Sequence, residues 1–190
     1  MNKKLKQGYY TNAGLRKIGF NGLQIKKFAD SGVLFKIKFG LYRTADMSLN
    51  HQSFIDVCAG APKAVISGFS ALQYYNLTTF IPQSVYISIR RGDHGPHIFY
   101  PPVEKNVVSE KFFNLGITNV KEGKYSFKIY DLEKSVCDAF RYKNKMGIDI
   151  AKEALKEDIM RPDANINKLL QMTQKCKVKK IVQSWLTALL

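Results

Sequence analysis

The chain has 190 residues, of which 45% are apolar, and its 30 Lys and Arg against 15 Asp and Glu give a formal net charge of +15. This apolar fraction, with 12 Phe and 10 Tyr, excludes a disordered chain and allows one or two domains. The longest apolar runs are too short to cross a bilayer, and residues 1–10 do not resemble a secretory leader. Cys58, Cys137 and Cys176 lack the close spacing of zinc ligands. We therefore expect a cytoplasmic protein with reduced thiols, no metal and no cofactor.

The positive charge is concentrated at one end of the chain. Residues 1–46, here called the head, hold ten Lys and Arg and two Asp, and so carry +8 of the total +15. Residues 47–190, here called the body, carry the remaining +7. A concentrated basic module is typical of proteins that bind polyanions. We predict two domains with the boundary after residue 46.

Two short helices are predicted in the head. Thr11 or Asn12 can cap a helix over 13–18, because either side chain can accept a bond from a free N–H of the first turn. After a glycine-containing turn, a second helix is predicted over 21–31. Its buried stripe would consist of Ile25, Phe28 and Ala29.

A basic hairpin is predicted next. Phe35, Ile37 and Phe39 alternate with Lys36 and Lys38, which is the period of a strand, and Phe35 and Ile37 are expected to be buried. Helix, turn, helix and basic hairpin follow one another in a winged helix-turn-helix, whose second helix enters the major groove while the hairpin follows the phosphates. The first helix of such a module would have to come from 1–7.

The body is predicted to be a mixed α/β domain with a helical C-terminus, so that the whole chain belongs to the α+β class. Its first helix would begin at Asn50 or Ser53 and end before Ala61-Pro62. The remaining predicted strands are 84–89, 98–100, 118–120 and 125–130, and the remaining predicted helices are 67–75, 132–141, 148–159, 165–175 and 178–190.

The predicted DNA contacts lie on the second helix and on the hairpin. Amide side chains can bond adenine bidentately and lysine can bond guanine, so the candidates for reading bases are Asn21, Gln24 and Lys27, with Lys26 and Ser31 at the edges. The candidates for phosphate contacts are Lys36, Lys38 and Arg43. The alternative is a solvated face on a winged helix that binds protein.

A second basic segment follows the predicted strand 84–89. Arg90 and Arg91, with His94 and His97 close by, are candidates for a second polyanion contact, and the alternative is an exposed basic turn. His94 and His97 lack a third metal ligand at a useful spacing.

Four charged residues near 131–138 admit an enzymatic interpretation, because paired carboxylates can hold Mg²⁺. We favour a structural interpretation. Asp131 stands where a helix cap belongs, Glu133 lies in the first turn, where the helix dipole favours negative charge, and Asp138 can pair with Arg141. Lys134 is the fourth member. No catalytic residue is predicted.

Several strings in order and at matching spacing resemble the AbiEi antitoxin family. The resemblance covers about residues 8–160 and is carried by Gly32-Val33-Leu34, Gly40-Leu41-Tyr42-Arg43, Ser70-Ala71-Leu72, Asn76-Leu77-Thr78, Ile81-Pro82, Val85-Tyr86-Ile87-Ser88-Ile89-Arg90-Arg91-Gly92, the segment from Tyr130 to Arg141, and Asp149 with Glu153-Ala154-Leu155-Lys156.

The resemblance implies a regulator encoded beside an AbiEii-like nucleotidyltransferase toxin. Its winged helix would repress its own promoter by binding double-stranded DNA with inverted repeats, and its second domain would contribute to antitoxicity. The expected function is that of an autorepressor and antitoxin without enzymatic activity. The alternatives are a metal-dependent nuclease or nucleotidyl-transfer enzyme with a DNA-targeting head, and an adaptor that binds RNA or protein.

Overall fold

A computed structural model describes residues 5–189 of the chain and has the expected α+β organisation. The described part of the head consists, in chain order, of β1 (Tyr9–Thr11), α1 (Asn12–Lys17), α2 (Gly22–Asp30), β2 (Leu34–Lys38) and β3 (Leu41–Thr44). The three strands form an antiparallel sheet with the order β1-β3-β2. Of the predicted first helix, residues 5–7 are not helical and 1–4 lie outside the described residues.

The body contains five short strands interspersed with helices and ends in a run of helices. Its elements are α3 (Gln52–Gly60), β4 (Val65–Ile66), α4 (Gly68–Tyr74), β5 (Val85–Arg90), β6 (Val103–Val108), α5 (Glu110–Phe113), β7 (Ile117–Glu122), β8 (Tyr125–Tyr130), α6 (Leu132–Arg141), α7 (Lys143–Met146), α8 (Ile148–Ile159), α9 (Ile166–Lys175) and α10 (Lys179–Leu189).

The five body strands form one mixed sheet with the order β6-β5-β4-β8-β7. The hairpin β7–β8 is antiparallel, as is the pair β4–β5. By contrast, β4 pairs with β8 and β5 pairs with β6 in parallel. The centre of the sheet is therefore built from segments that lie far apart in the sequence.

Most predicted elements are present, and their boundaries follow local caps. Thr11 Oγ1 accepts the Gly14 N–H at 3.0 Å at the start of α1, and Asp131 Oδ1 accepts the Lys134 N–H at 2.9 Å at the start of α6. The predicted strand 98–100 is wrong, because the strand in this region is β6, which begins at Val103, three residues after the predicted strand ends.

Four hydrophobic clusters lie within residues 5–189, and the smallest of them consists of Val65, Val108, Phe113 and Tyr130. The head has its own small core around Leu15, Phe20 and Leu34. A second core lies between α3 and the body sheet, and a third joins α4 to the C-terminal helices α6, α8, α9 and α10. All three cysteines are buried thiols, as their apolar surroundings predicted.

A buried polar network joins the head to the body. The carboxylate of Asp56 on α3 pairs with Arg43 on β3, with 3.0 Å from Arg43 Nε to Asp56 Oδ1. The Tyr9 hydroxyl on β1 and the Gln52 amide also donate to Asp56. Burial and the bond to Asp56 raise the pKa of Tyr9, so its hydroxyl remains a protonated donor. The chain on either side of residue 46 is therefore fixed by contacts between head and body.

Candidate nucleic-acid interface

Helix α2 is held in place by a capping box and by one buried side chain. Asn21 Oδ1 accepts the Gln24 N–H and Gln24 Oε1 accepts the Asn21 N–H, each at 2.9 Å. One turn into the helix, Ile25 is buried in the head core with Leu15 and Leu34. These contacts at the start of the helix determine which of its sides points away from the protein.

The outward side of α2 carries two lysines and a leucine. Lys26 and Lys27 are exposed, as predicted, and Leu23 is 81% exposed. Because Leu23 and Lys27 are four residues apart, they share one helix face. Leu23 was not among the predicted contacts, although a leucine outside the buried stripe was a visible signal. An exposed apolar side chain on such a helix can contact the methyl group of thymine.

Two further cations lie close to α2 in the sequence. Arg16 and Lys17 are exposed in the last turn of α1, where the helix dipole favours positive charge. A turn of four residues, 18–21, separates them from α2. The helical half of the head thus presents at least four exposed cations.

The capping box limits how Asn21 and Gln24 can read a base. Bidentate recognition of adenine uses both the oxygen and the nitrogen of one amide, and the box already occupies both oxygens. Opening the box would cost about 0.5–2 kcal/mol. The two amides are therefore suited to donate through nitrogen. Ser31 is exposed at the other end of α2, and its hydroxyl donates to the Phe28 carbonyl at 3.4 Å.

The hairpin β2–β3 departs from regular alternation. A register shift between Lys36 and Lys38 interrupts the pairing with β3, so Leu34 and Ile37 are buried while Phe35 is exposed. The prediction that Phe35 is buried is therefore wrong, whereas the predicted burial of Ile37 is confirmed. Both lysines remain at the surface, but they differ in their contacts.

Lys36 and Lys38 differ in how their ammonium groups are engaged by the protein. The ammonium of Lys36 lies 4.7 Å from the ring centroid of Phe99 and remains exposed. The ammonium of Lys38 instead donates to the Gly60 carbonyl at 2.7 Å, where α3 ends. A phosphate contact by Lys38 would have to replace this bond.

Arg43 does not fit the predicted phosphate contact. Its side chain is 6% exposed, and its donors are bonded to Asp56 and to the carbonyls of Thr44 and Met47, at 3.1 and 3.0 Å. The sequence prediction failed here because Asp56, the partner that buries Arg43, lies beyond the predicted domain boundary. Arg43 is therefore a buried structural residue and not part of the candidate interface.

The second predicted polyanion contact retains one of its two arginines. Arg90 bonds Asp93 at 3.3 Å and Glu110 at 3.0 Å, and these hydrogen bonds raise the pKa of its guanidinium. Its charge is therefore balanced within the protein. Arg91, His94 and His97 are exposed.

The carboxylates at the start of α6 have structural partners. Asp131 caps the helix, and Lys168 Nζ lies 2.6 Å from Glu133 Oε2 and 3.5 Å from Asp131 Oδ2. Burial raises the pKa of Asp131, while the bonds from Lys134 and Lys168 oppose that rise. Within residues 5–189, no group of three or more His, Cys, Asp or Glu is placed to hold a metal ion. These contacts support the structural interpretation.

Lys134 and Asp138 form an ion pair inside the protein. The Lys134 side chain is fully buried, and its ammonium also lies 4.2 Å from the ring centroid of Tyr130. The predicted pair of Asp138 with Arg141 is not formed, since Arg141 Nη1 donates to the Cys176 carbonyl at 2.9 Å. Burial raises the pKa of Asp138, and the charge of Lys134 opposes that effect. The spacing of four residues between Lys134 and Asp138 was the signal for this pair.

Comparison with family models and with curated proteins found no match to this chain. Among the helices within residues 5–189, none combines the length and the apolar character needed to span a membrane.

Proposed function

We propose that the chain is a transcriptional autorepressor whose head is a winged helix-turn-helix that binds double-stranded DNA, and that it also acts as the antitoxin of a two-gene system. The AbiEi-like strings suggest both roles. The observation that carries the DNA-binding half is the outward face of α2, where Leu23, Lys26 and Lys27 are exposed on a rigidly capped helix.

The revised interface divides into base-reading and phosphate-binding groups. In α2, Leu23, Gln24 and Lys27 would face the edges of the bases, with Asn21, Lys26 and Ser31 at the borders. Lys36 on the hairpin would bind phosphate, and Arg91 would provide a more distant contact. Since the head carries +8, binding should depend strongly on salt.

The antitoxin half of the proposal rests on the resemblance alone and is assigned to the body. A separation of roles is physically reasonable, since the cores of the body are built without residues of α2. Its partner would be an AbiEii-like nucleotidyltransferase toxin encoded by the neighbouring gene.

The test of DNA binding compares two double charge reversals. The variant Lys26→Glu/Lys27→Glu should lose binding to the DNA upstream of its own gene, measured by fluorescence anisotropy over a salt series. The control variant, Lys179→Glu/Lys180→Glu, changes the net charge by the same amount. Its two lysines are also adjacent and exposed on a helix, so the two sites are comparable. The control variant should retain specific binding. Equal losses in the two variants would indicate only nonspecific attraction.

Co-expression with the neighbouring toxin gene tests the second role. The folded Lys26→Glu/Lys27→Glu variant should fail to repress a reporter and still protect cells from the toxin. If protection is lost together with repression, antitoxicity depends on DNA binding, and the two-role proposal is wrong. Mg²⁺-dependent cleavage or nucleotidyl transfer by the purified chain would instead identify the enzymatic alternative.

A further inference from the structure

An exposed group of aromatic rings lies beside the hairpin of the head. This aromatic patch consists of Phe35 on β2, Phe39 in the turn after β2, and Phe99 with Tyr100 in the segment that precedes β6. The Phe99 N–H donates to the Ile37 carbonyl at 2.8 Å, which fixes that segment against β2.

The rings of the patch remain open to solvent. Phe39 is 81% exposed and Phe99 is 48% exposed, while Phe35 and Tyr100 stack on each other with centroids 5.9 Å apart. Single exposed apolar residues are ordinary, but contiguous exposed rings mark interaction sites. Phe35 is partly covered by Tyr100 and by the Arg43 guanidinium, which lies 4.8 Å from its centroid. Phe39 and Phe99 are therefore the rings that a binding partner would cover.

Cations are interleaved with these rings. Lys36 Nζ lies 4.7 Å from the centroid of Phe99 and 5.8 Å from that of Phe39. Beside the patch, Lys38, Lys63 and His94 help to line a cleft of about 390 Å³. The acidic residue in this cleft, Asp93, is already paired with Arg90. The surface therefore offers π-faces together with uncompensated positive charge.

We propose that the aromatic patch binds single-stranded DNA. Unpaired bases would stack on Phe39 and Phe99, and Lys36 together with the exposed Lys63 of the cleft would bind the phosphates. Rings combined with a positive groove are how proteins hold single strands without sequence preference, because every base has a π-face.

DNA is favoured as the polymer because the patch is continuous with the proposed duplex interface. Lys36 lies between Phe35 and Ile37 on β2, so this β-strand would both contact the phosphates of the duplex and carry part of the aromatic patch. A duplex held by α2 would thus bring locally unpaired bases to the patch. This choice of polymer rests on the proposed function, whereas the stacking of bases on the rings does not.

The test measures anisotropy of a labelled oligo(dT) with wild-type protein, Phe39→Leu and Phe99→Leu. Leucine preserves apolar area but removes the stacking ring, and each variant should weaken binding by about 5- to 150-fold. Phe80→Leu is the matched control, because Phe80 is 44% exposed and lies against Phe69 instead of the patch. It should bind oligo(dT) as the wild type does.

Parallel titrations with the upstream duplex and with oligo(U) separate the outcomes. Retained duplex binding by Phe39→Leu supports a distinct single-strand site, whereas equal loss of duplex and single strand overturns it. Tighter binding of oligo(U) than of oligo(dT) also overturns the proposal and indicates an RNA partner. Binding of neither oligonucleotide overturns it as well and indicates a protein partner. Wild-type protein that binds oligo(dT) but not the duplex would refute the proposed function and leave the stacking site intact.

Discussion

The buried pair between Arg43 and Asp56 allows a quantitative prediction. In Asp56→Asn the side chain keeps its shape and can still accept the bond from Tyr9, but the charge of Arg43 loses its counter-ion. The side chains of Arg43 and Asp56 are 6% and 1% exposed, so water cannot replace the lost partner. Breaking one half of such a pair costs about 3–5 kcal/mol, because a charge remains buried.

This loss should be visible in thermal unfolding. For a chain of this size, 1 kcal/mol corresponds to a shift in Tm of about 2–4 °C, so we expect Asp56→Asn to lower Tm by about 6–20 °C. Circular dichroism and urea titration would measure it. The double variant Arg43→Met/Asp56→Asn should be less unstable than the sum of its single changes, since no charge is then left unpaired.

The matched control is Asp149→Asn, which breaks the exposed pair between Asp149 and Lys152. Exposed pairs contribute only about 0–1 kcal/mol, so its Tm should hardly change. If Asp56→Asn and Asp149→Asn have equal effects, the network does not hold the head on the body. Additive single changes at Arg43 and Asp56 would likewise contradict the argument.

Three further predictions follow from individual contacts. Burial, with a smaller contribution from Glu133, raises the pKa of Asp158 to about 6. The folded protein therefore loses stability as pH rises from about 4 through 6, because the buried carboxyl then gives up its proton. Urea titration should therefore give Asp158→Asn the same free energy of unfolding as the wild type near pH 4 and a value higher by at most about 3 kcal/mol at pH 7; a difference that does not change with pH would contradict this. Lys36→Ala should reduce the slope of log affinity for duplex DNA against log salt by about 0.9. Lys38→Met should chiefly lower Tm, because it loses the bond to the Gly60 carbonyl. Identical salt slopes in the two variants would refute the distinction between the two lysines. Gly116→Ala should destabilise the fold, measured by urea titration, because φ is +65° and an added Cβ would lie 2.6 Å from Lys134 Cβ; an unchanged midpoint would show that the backbone can shift there.

Elements defined by local signals were predicted well from the sequence. Thr11 and Asp131 cap their helices as expected, and the hairpin β7–β8 turns at Gly123 between two alternating segments. The second head helix and its buried Ile25 follow from helical periodicity. In each of these elements, the signal that predicts the structure lies within a short stretch of the sequence.

Features that depend on distant partners were missed. Strand β6 has a poor alternating pattern and exists through parallel pairing with β5. The burial of Phe35 was predicted from strict alternation, which the register shift in β2 interrupts. Arg43 was predicted to be an exposed phosphate contact, because no pattern near it in the sequence indicates that Asp56 is its partner. Contacts between distant residues therefore determine which strand lies at this edge of the body sheet, and they exclude Arg43 from the candidate interface.

The parallel pairing of β4 with β8 has a consequence for folding during synthesis. The head sheet is complete once the ribosome has passed Thr44, whereas β4 must wait for β8, which ends at Tyr130. At about 5–20 residues per second, these roughly 90 residues take about 4–18 s to translate. A folded head would thus emerge tethered to a body whose central strand has no neighbour on one side. The apolar strands made in that interval are the segments for which a chaperone would compete.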